Sequence, residues 1–353
     1  MAAMVIVNNP GDWGTVYAPL LHAPWHGWTP TDLIFPFFLF IVGVAITLSP
    51  RSSSGVGAVL RRGATIFGLG LFLAGFPFFN LATWRIPGVL QRIALCYLAA
   101  VAVDRLIAPR DGNTSKRIQR VAFVTIAIVT VYAALMLWVP VPGSSAGDLT
   151  PDGNLGAWLD RALMRGHLWR PGWDPEGLLS TMPAVATTLI GVMAGDALKR
   201  TTDVAHWRGS LVIGGLVAIA MGSLWHAWFP INKSLWTSSY VLFTAGAAAV
   251  ALAVCSAWAD KAEGWRLRTS EPFVALGRNA ILLFVLSGIV GRIIGVVIVD
   301  PAAPLSLKAW IYSSLFVPLA SGRNASLLFA VTNLLLLYAL LAWLHRRRVY
   351  WKV

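Results

Sequence analysis

This sequence has little charge. Only 12% of its 353 residues are Asp, Glu, Lys or Arg, against 57% hydrophobic residues and a mean hydropathy of +0.68. That leaves too little polar surface to keep domains of this size in water. Cysteine is nearly missing as well. Cys96 and Cys255 each lie inside an apolar stretch, where a thiol behaves as a small hydrophobe, so no disulfide framework or cysteine metal site is implied. The start has no charged region, short apolar core and small-residue cleavage site, and so is not read as a secretory signal. Acidic residues are scarce beside basic ones, and the formal net charge is +13. Lys and Arg nevertheless fall in short clusters between apolar stretches, with no continuous basic face, which argues against nucleic acid as a partner. No internal repeat stands out, so an inverted-repeat transporter gains no support.

What is present is a succession of apolar runs, at 31–49, 60–79, 88–107, 119–139, 179–198, 209–229, 236–258, 272–299 and 325–344. Each approaches the roughly 20 residues that a spanning helix needs. The apolar start, Met1 to Val7, ends at Asn8-Asn9-Pro10-Gly11, so the first span is expected to be incomplete. The expectation is an all-α polytopic membrane bundle of about ten transmembrane helices, one domain over 1–353. The run 308–320 is short and carries Lys308, so it reads as an interfacial helix.

The basic clusters support that division. With the His22 loop outside, one side gathers Arg51, Arg61 and Arg62, then Arg105, Arg110, Lys116, Arg117 and Arg120, and then Lys199, Arg200 and Arg208. It also takes Lys261, Arg266 and Arg268, and the tail Arg346, Arg347, Arg348 and Lys352. That is the cytoplasmic signature, with the C-terminus inside. The other side holds a long segment, about 140–178, rich in turn residues at its start and carrying Trp158, Trp169 and Trp173. Loops of this length usually have a function.

Chemistry-bearing residues concentrate between His22 and Asp32, in His22-Ala23-Pro24-Trp25-His26-Gly27-Trp28-Thr29-Pro30-Thr31-Asp32. An imidazole titrates near neutrality, so His22 and His26 are candidates for base, acid or nucleophile. The plainer reading is structural: Thr29 or Thr31 caps the following helix, Asp32 complements its dipole, and the tryptophans lie in an interfacial belt. Zinc needs a third ligand and a helical i, i+4 face, which Pro24 and Gly27 disfavour, and no metal is expected. Charged groups inside or beside apolar runs, such as Arg92, Asp196, Arg278 and Arg292, are costly there and turn toward a cavity or a partner. Structural ion pairs explain them as readily as substrate contacts do. The same ambiguity covers Asp174 and Glu176 in Asp174-Pro175-Glu176-Gly177, and Lys233 in Pro230-Ile231-Asn232-Lys233-Ser234-Leu235-Trp236.

Together these segments, with Val7-Asn8-Asn9-Pro10-Gly11, Leu33-Ile34-Phe35-Pro36-Phe37-Phe38, Arg85-Ile86-Pro87-Gly88-Val89-Leu90-Gln91-Arg92 and Gly277-Arg278-Asn279-Ala280, resemble the heparan-alpha-glucosaminide N-acetyltransferase family along the length of the chain. The resemblance implies transfer of acetyl from cytosolic acetyl-CoA, as co-substrate, to an amino sugar or glycan on the non-cytoplasmic face. It carries the catalytic role to His22 and matches Asn8 to the family's preceding asparagine. Lysosomal members have Asn where this chain has His26. The family pattern starts with an Asp-x-x-Arg-Gly stretch upstream of residue 1, and the luminal domain of the lysosomal members has no counterpart in this sequence.

Acyl transfer needs a base or nucleophile and a group to hold the oxyanion, roles the resemblance gives to His22 and Asn8. Substrate or co-substrate contacts are expected from His26, Asp32, Arg92, Asp174, Glu176, Lys233, Arg278 and Asn279; an arginine fork suits phosphate, carboxylate or sugar. The expected setting is a bacterial inner membrane with the His22 loop periplasmic, lipid and an amino sugar or glycan acceptor as partners, and a homodimer left open. An amino-sugar permease is the alternative reading, with His22 and Asp32 binding solute or protons, and an envelope assembly protein is a third.

Overall fold

The computed structural model describes residues 1–49, 55–109, 113–260, 263–300 and 304–351. Arg51, Arg110, Lys261 and Lys352 from the basic clusters lie outside the described residues. The described chain is almost wholly helical: α1 (Ala2–Asn8), α2 (Ile34–Leu48), α3 (Val56–Gly75), α4 (Val89–Ile107), α5 (Thr114–Trp138), α6 (Leu155–Met164), α7 (Leu178–Arg200), α8 (Val204–Trp225), α9 (Ser238–Ala259), α10 (Gly264–Arg278), α11 (Ala280–Val296), α12 (Leu307–Ile311) and α13 (Gly322–Arg346). A small antiparallel hairpin, β1 (Ile298–Asp300) with β2 (Leu305–Ser306), joins α11 to α12.

Among the described residues, seven stretches are long and apolar enough to cross a membrane: Pro30–Leu48, Val56–Gly75, Ser115–Trp138, Leu178–Arg200, Val204–Trp225, Ser238–Ala259 and Gly322–Arg346. The protein is an all-α integral membrane bundle, because in hydrocarbon only a helix satisfies its own backbone polar groups. The apolar run 272–299 is not one straight helix. It breaks between α10 and α11 with a bend of 74°, and the pair counts as an eighth span if taken together. Two stretches separate eight from the expected ten. α1 has 7 residues, and α4 has 19 but carries Arg92, Asp104 and Arg105. The run 308–320 is a five-residue helix followed by a π turn over Tyr312–Phe316.

Where apolar side chains meet lipid as readily as each other, helices associate by close packing of small residues. α2 and α7 do this at Gly43 and Gly191: a Cβ on Gly43 would run into the Thr188 carbonyl, and one on Gly191 into that of Phe40. This seam, with α4, α5 and α9, forms the main core around Leu39, Tyr97, Leu189, Trp236 and Tyr240. A separate cluster of Val5, Leu276, Leu283, Leu337 and Leu341 knits α1, α10, α11 and α13 together. Between the two helix groups lies a cavity of about 680 Å³. The membrane-crossing helices alternate in direction, so the N-terminal ends of α2, α4, α7 and α9 share one end of the bundle with the His22 loop.

Candidate functional site

The loop from His22 to Asp32 is pinned from three directions. Gly27, in the left-handed region at φ 96°, donates its N–H to the Ile231 carbonyl (2.8 Å), and the Trp25 indole donates to the Leu149 carbonyl (2.8 Å). Thr31 donates its hydroxyl to the Pro19 carbonyl. The α8–α9 turn and the long 140–178 segment thus form the bed on which the histidines lie.

Asp32 is the pivot. Its carboxylate is 1% exposed; Oδ2 accepts the Ala23 and Thr29 N–H groups (both 3.0 Å), while the Thr29 hydroxyl donates to the Leu21 carbonyl (2.6 Å). Oδ1 faces His22 Nδ1 at 2.6 Å. An ionised carboxylate only accepts hydrogen bonds, so Nδ1 carries a proton toward Asp32, and Nε2 is the ring nitrogen that Asp32 does not engage. The group that accepts the loop and helix-start N–H groups is therefore also the one that orients His22. The His22 side chain is half exposed. Lys233 Nζ stands 3.1 Å from both His22 ring nitrogens and 3.9 Å from Asp32 Oδ1. His26 lies beside His22 on the same loop, within 3.4 Å of the Asn232 amide. Burial, and then the neighbouring His226, lower its pKa, so His26 is held neutral.

A second charged cluster adjoins the first. Arg85 clamps Asp174 with two hydrogen bonds, Nε to Oδ2 (2.8 Å) and Nη2 to Oδ1 (2.6 Å), and reaches Glu176 Oε2 at 2.5 Å. The Asp174 carboxylate also accepts the N–H groups of Trp169 (2.7 Å) and Glu176 (2.9 Å). Although burial works against a charged Arg85, these two carboxylates hold its pKa above the ordinary value. Arg92, one turn into α4 and 1% exposed, donates to the Gly177 carbonyl (3.1 Å) and to the Ser180 hydroxyl, and lies 5.1 Å from the Trp236 ring. Its Nε and Nη1 are buried, with no hydrogen-bond partner among the described residues. Sequence reasoning singled out Arg92 and passed over Arg85 in the same motif. The missed signal was position: Arg85 stands in the loop, where it can reach both the Asp174–Glu176 pair and the cavity.

The remaining candidates separate. Asn8 is exposed at the end of α1 and lines the 680 Å³ cavity with Arg85, Gln91, Trp169, Arg292 and Lys308; among the described residues it makes no hydrogen bond to His22. Arg278 and Asn279 sit at the opposite end of the bundle, where they hold the C-terminal tail. Arg278 Nη1 donates to the Tyr350 hydroxyl (2.9 Å), and the Asn279 side chain accepts the Trp351 N–H (2.9 Å). The structure thus gathers His22, His26, Asp32, Lys233, Arg92, Asp174 and Glu176 at one end, adds Arg85 and leaves Arg278 and Asn279 outside the group.

No family model matches this chain. It is 28% identical over 344 residues to heparan-alpha-glucosaminide N-acetyltransferase from Homo sapiens, covering 80% of this chain and 50% of that protein. It is 29% identical over 342 residues to the protein of the same name from Mus musculus, covering 81% and 51%. The chain spans about half the length of the curated relatives it matches.

Proposed function

We propose that the protein is a membrane acyltransferase that moves an acetyl group from acetyl-CoA to an amino sugar or related glycan at the His22 end of the bundle. The observation that carries this reading is the His22–Asp32 pair, a 2.6 Å contact through Nδ1 that orients the imidazole and leaves Nε2 as the nitrogen to attack a thioester or to take an amine proton. The similarity to two N-acetyltransferases supports it. The cavity beside Arg85, with Arg292 and Lys308 in its walls, has the volume of a cofactor pocket and cations suited to the phosphates of a CoA donor. Asp174 and Glu176 then serve through Arg85, fixing its fork. Asn8 lines the donor's approach.

The basic clusters of α3, α5, α8, α10 and the tail lie away from the His22 end, and support a cytoplasmic C-terminus and an outward-facing site in a bacterial inner membrane. On this topology α4 and the short α1 complete a set of ten membrane segments. The break between α10 and α11 favours a second reading, an amino-sugar permease with a discontinuous helix beside its pathway.

The test is mass spectrometry of detergent-purified protein incubated with isotopically labelled acetyl-CoA and glucosamine, with His22→Ala as control. Labelled N-acetylated sugar from the wild type, absent with the variant, is expected. Uptake of labelled glucosamine into proteoliposomes lacking acetyl-CoA, with no acetylated product, would decide for the permease.

A further inference from the structure

Lys233 occupies an unusual place for a lysine. It sits in the α8–α9 turn with its side chain 20% exposed, and the backbone beneath it is fixed by several contacts. Asn232 Oδ1 accepts the Leu235 N–H (2.9 Å), the Asn232 N–H goes to Thr237 Oγ1 (3.1 Å), and Trp236 is held at φ 52°, a conformation that residues other than glycine seldom adopt. Trp236 cannot relax, because its ring is fully buried between Phe35 and Tyr240. The turn therefore presents Nζ at a set point, 3.1 Å from each of the two ring nitrogens of His22. Strain of this kind persists where the surroundings over-determine it, and it concentrates at functional sites.

From this geometry we infer that Lys233 is a catalytic residue, lending a proton to the departing thiolate and recovering one from the attacking amine. The inference rests on the acyl-transfer reading above. The imidazole Nε2 attacks the thioester carbonyl carbon, forming an N–C bond as the C=O pair moves to oxygen. Collapse of that oxyanion breaks the C–S bond, and the thiolate takes a proton from the Lys233 ammonium. The acetyl group now sits on Nε2, with Nδ1–H still against Asp32. The acceptor amine attacks the acetyl carbon, the C–Nε2 bond breaks and its pair returns to the ring, and the surplus proton on the new amide nitrogen passes to the neutral Lys233. Thioester and amine have become amide and thiol, and His22 and Lys233 are restored. The ammonium beside Nε2 also stabilises the oxyanion, a duty that Asn8 is not placed to perform.

The groups facing Lys233 are His22 and Asp32 on the loop before α2, Glu176 before α7 and Arg92 on α4. Burial lowers the Lys233 pKa more than the two carboxylates raise it, and Arg92 lowers it further. A thiol titrates ordinarily near ~8.5 and a lysine near ~10.4, so a lowered lysine comes closer to its proton acceptor.

The test compares wild type with Lys233→Arg, using acetyl-CoA and glucosamine as probes and full-length protein in detergent. Arginine keeps the positive charge but does not give up its proton. The expected result is a fall in kcat of about 10²–10⁴-fold with KM for acetyl-CoA little changed, the usual range for a lost acid–base group. The proton must be on Lys233 for the first step, so the wild-type rate falls as pH rises through the lysine pKa, and this limb disappears in the variant. A Lys233→Arg protein with wild-type kcat and an intact alkaline limb overturns the inference alone. Should the variant fail to fold, a solvent deuterium isotope effect on single-turnover transfer by the wild type is expected, and its absence overturns the inference. A wild type that transfers no acetyl group overturns the acyltransferase reading and this inference with it.

Discussion

Replacing Asp32 by asparagine isolates the group that orients His22 without changing its shape. The carboxylate has two different tasks, since Oδ2 meets two backbone N–H donors and Oδ1 meets one donor, His22 Nδ1–H. An amide has one acceptor oxygen, and two donors claim it against one. The oxygen therefore takes the Oδ2 position, and the NH2 faces His22. Two N–H groups cannot point at each other, so the imidazole changes tautomer, presents its lone pair at Nδ1 and carries the proton on Nε2. The nucleophilic nitrogen is then blocked. A carboxylate-to-amide change that imposes the wrong tautomer costs about 10⁴-fold in a catalytic triad; the more exposed His22 sets the expectation here at about 10³–10⁴-fold, or ~4–5.5 kcal/mol in the barrier. Folding should suffer less, by about 1–2 kcal/mol for one exchanged hydrogen bond. The assay is single-turnover acetyl transfer to glucosamine, with acetyl-CoA binding measured separately by calorimetry. An Asp32→Asn protein that binds the donor normally and transfers within threefold of wild type would refute this account of His22.

Three further perturbations probe the frame around the site. Arg85→Met leaves the buried Asp174 and Glu176 carboxylates without their shared cation; a loss of about 3–5 kcal/mol is expected for breaking such a pair, read as a lowered unfolding temperature and weaker acetyl-CoA binding. Gly43→Val drives a side chain into the α7 backbone and should abolish stable folding, whereas Gly57→Val, with open space at its Cβ, should leave the unfolding temperature within a few degrees. Size-exclusion chromatography and thermal unfolding separate the two. Asp160, in the outer helix α6, has its pKa pushed up to about 6, chiefly by burial and despite the Leu178 N–H it accepts. Its folded pKa exceeds its unfolded one, so its contribution is fully present at low pH and is lost as pH rises through about 6. Asp160→Asn should therefore match wild-type stability at pH ~4 and exceed it by up to about 3 kcal/mol at pH ~8, as follows from a shift near two units at 1.36 kcal/mol each. Unfolding temperatures at the two pH values check this, and an equal difference at both would contradict it.

Much of the site was legible because its parts are local in sequence. His22 and Asp32 lie ten residues apart on one loop, and the need of an apolar helix for a polar start predicts a cap there whether or not chemistry is present. Lys233, Asp174 and Glu176 stood out because ionisable groups beside membrane segments are rare. Arg278 and Asn279 stood out for the same reason, yet they hold the C-terminal tail at the far end, since rarity identifies a residue with a partner and does not say which partner.

Hydropathy alone determined that this chain lives in a membrane, that its backbone is helical and roughly where each run begins, because lipid leaves a long apolar segment no other way to satisfy its N–H and C=O groups. Hydropathy could not place the bend between α10 and α11. Which polar groups meet was decided only by the tertiary structure. Contacts such as Lys233 with His22 and Arg85 with Asp174 join residues 211 and 89 positions apart. They exist because glycine-lined helices pack closely enough to bring four helix ends and their loops to one side of the bundle, a fact of packing geometry that no local pattern encodes.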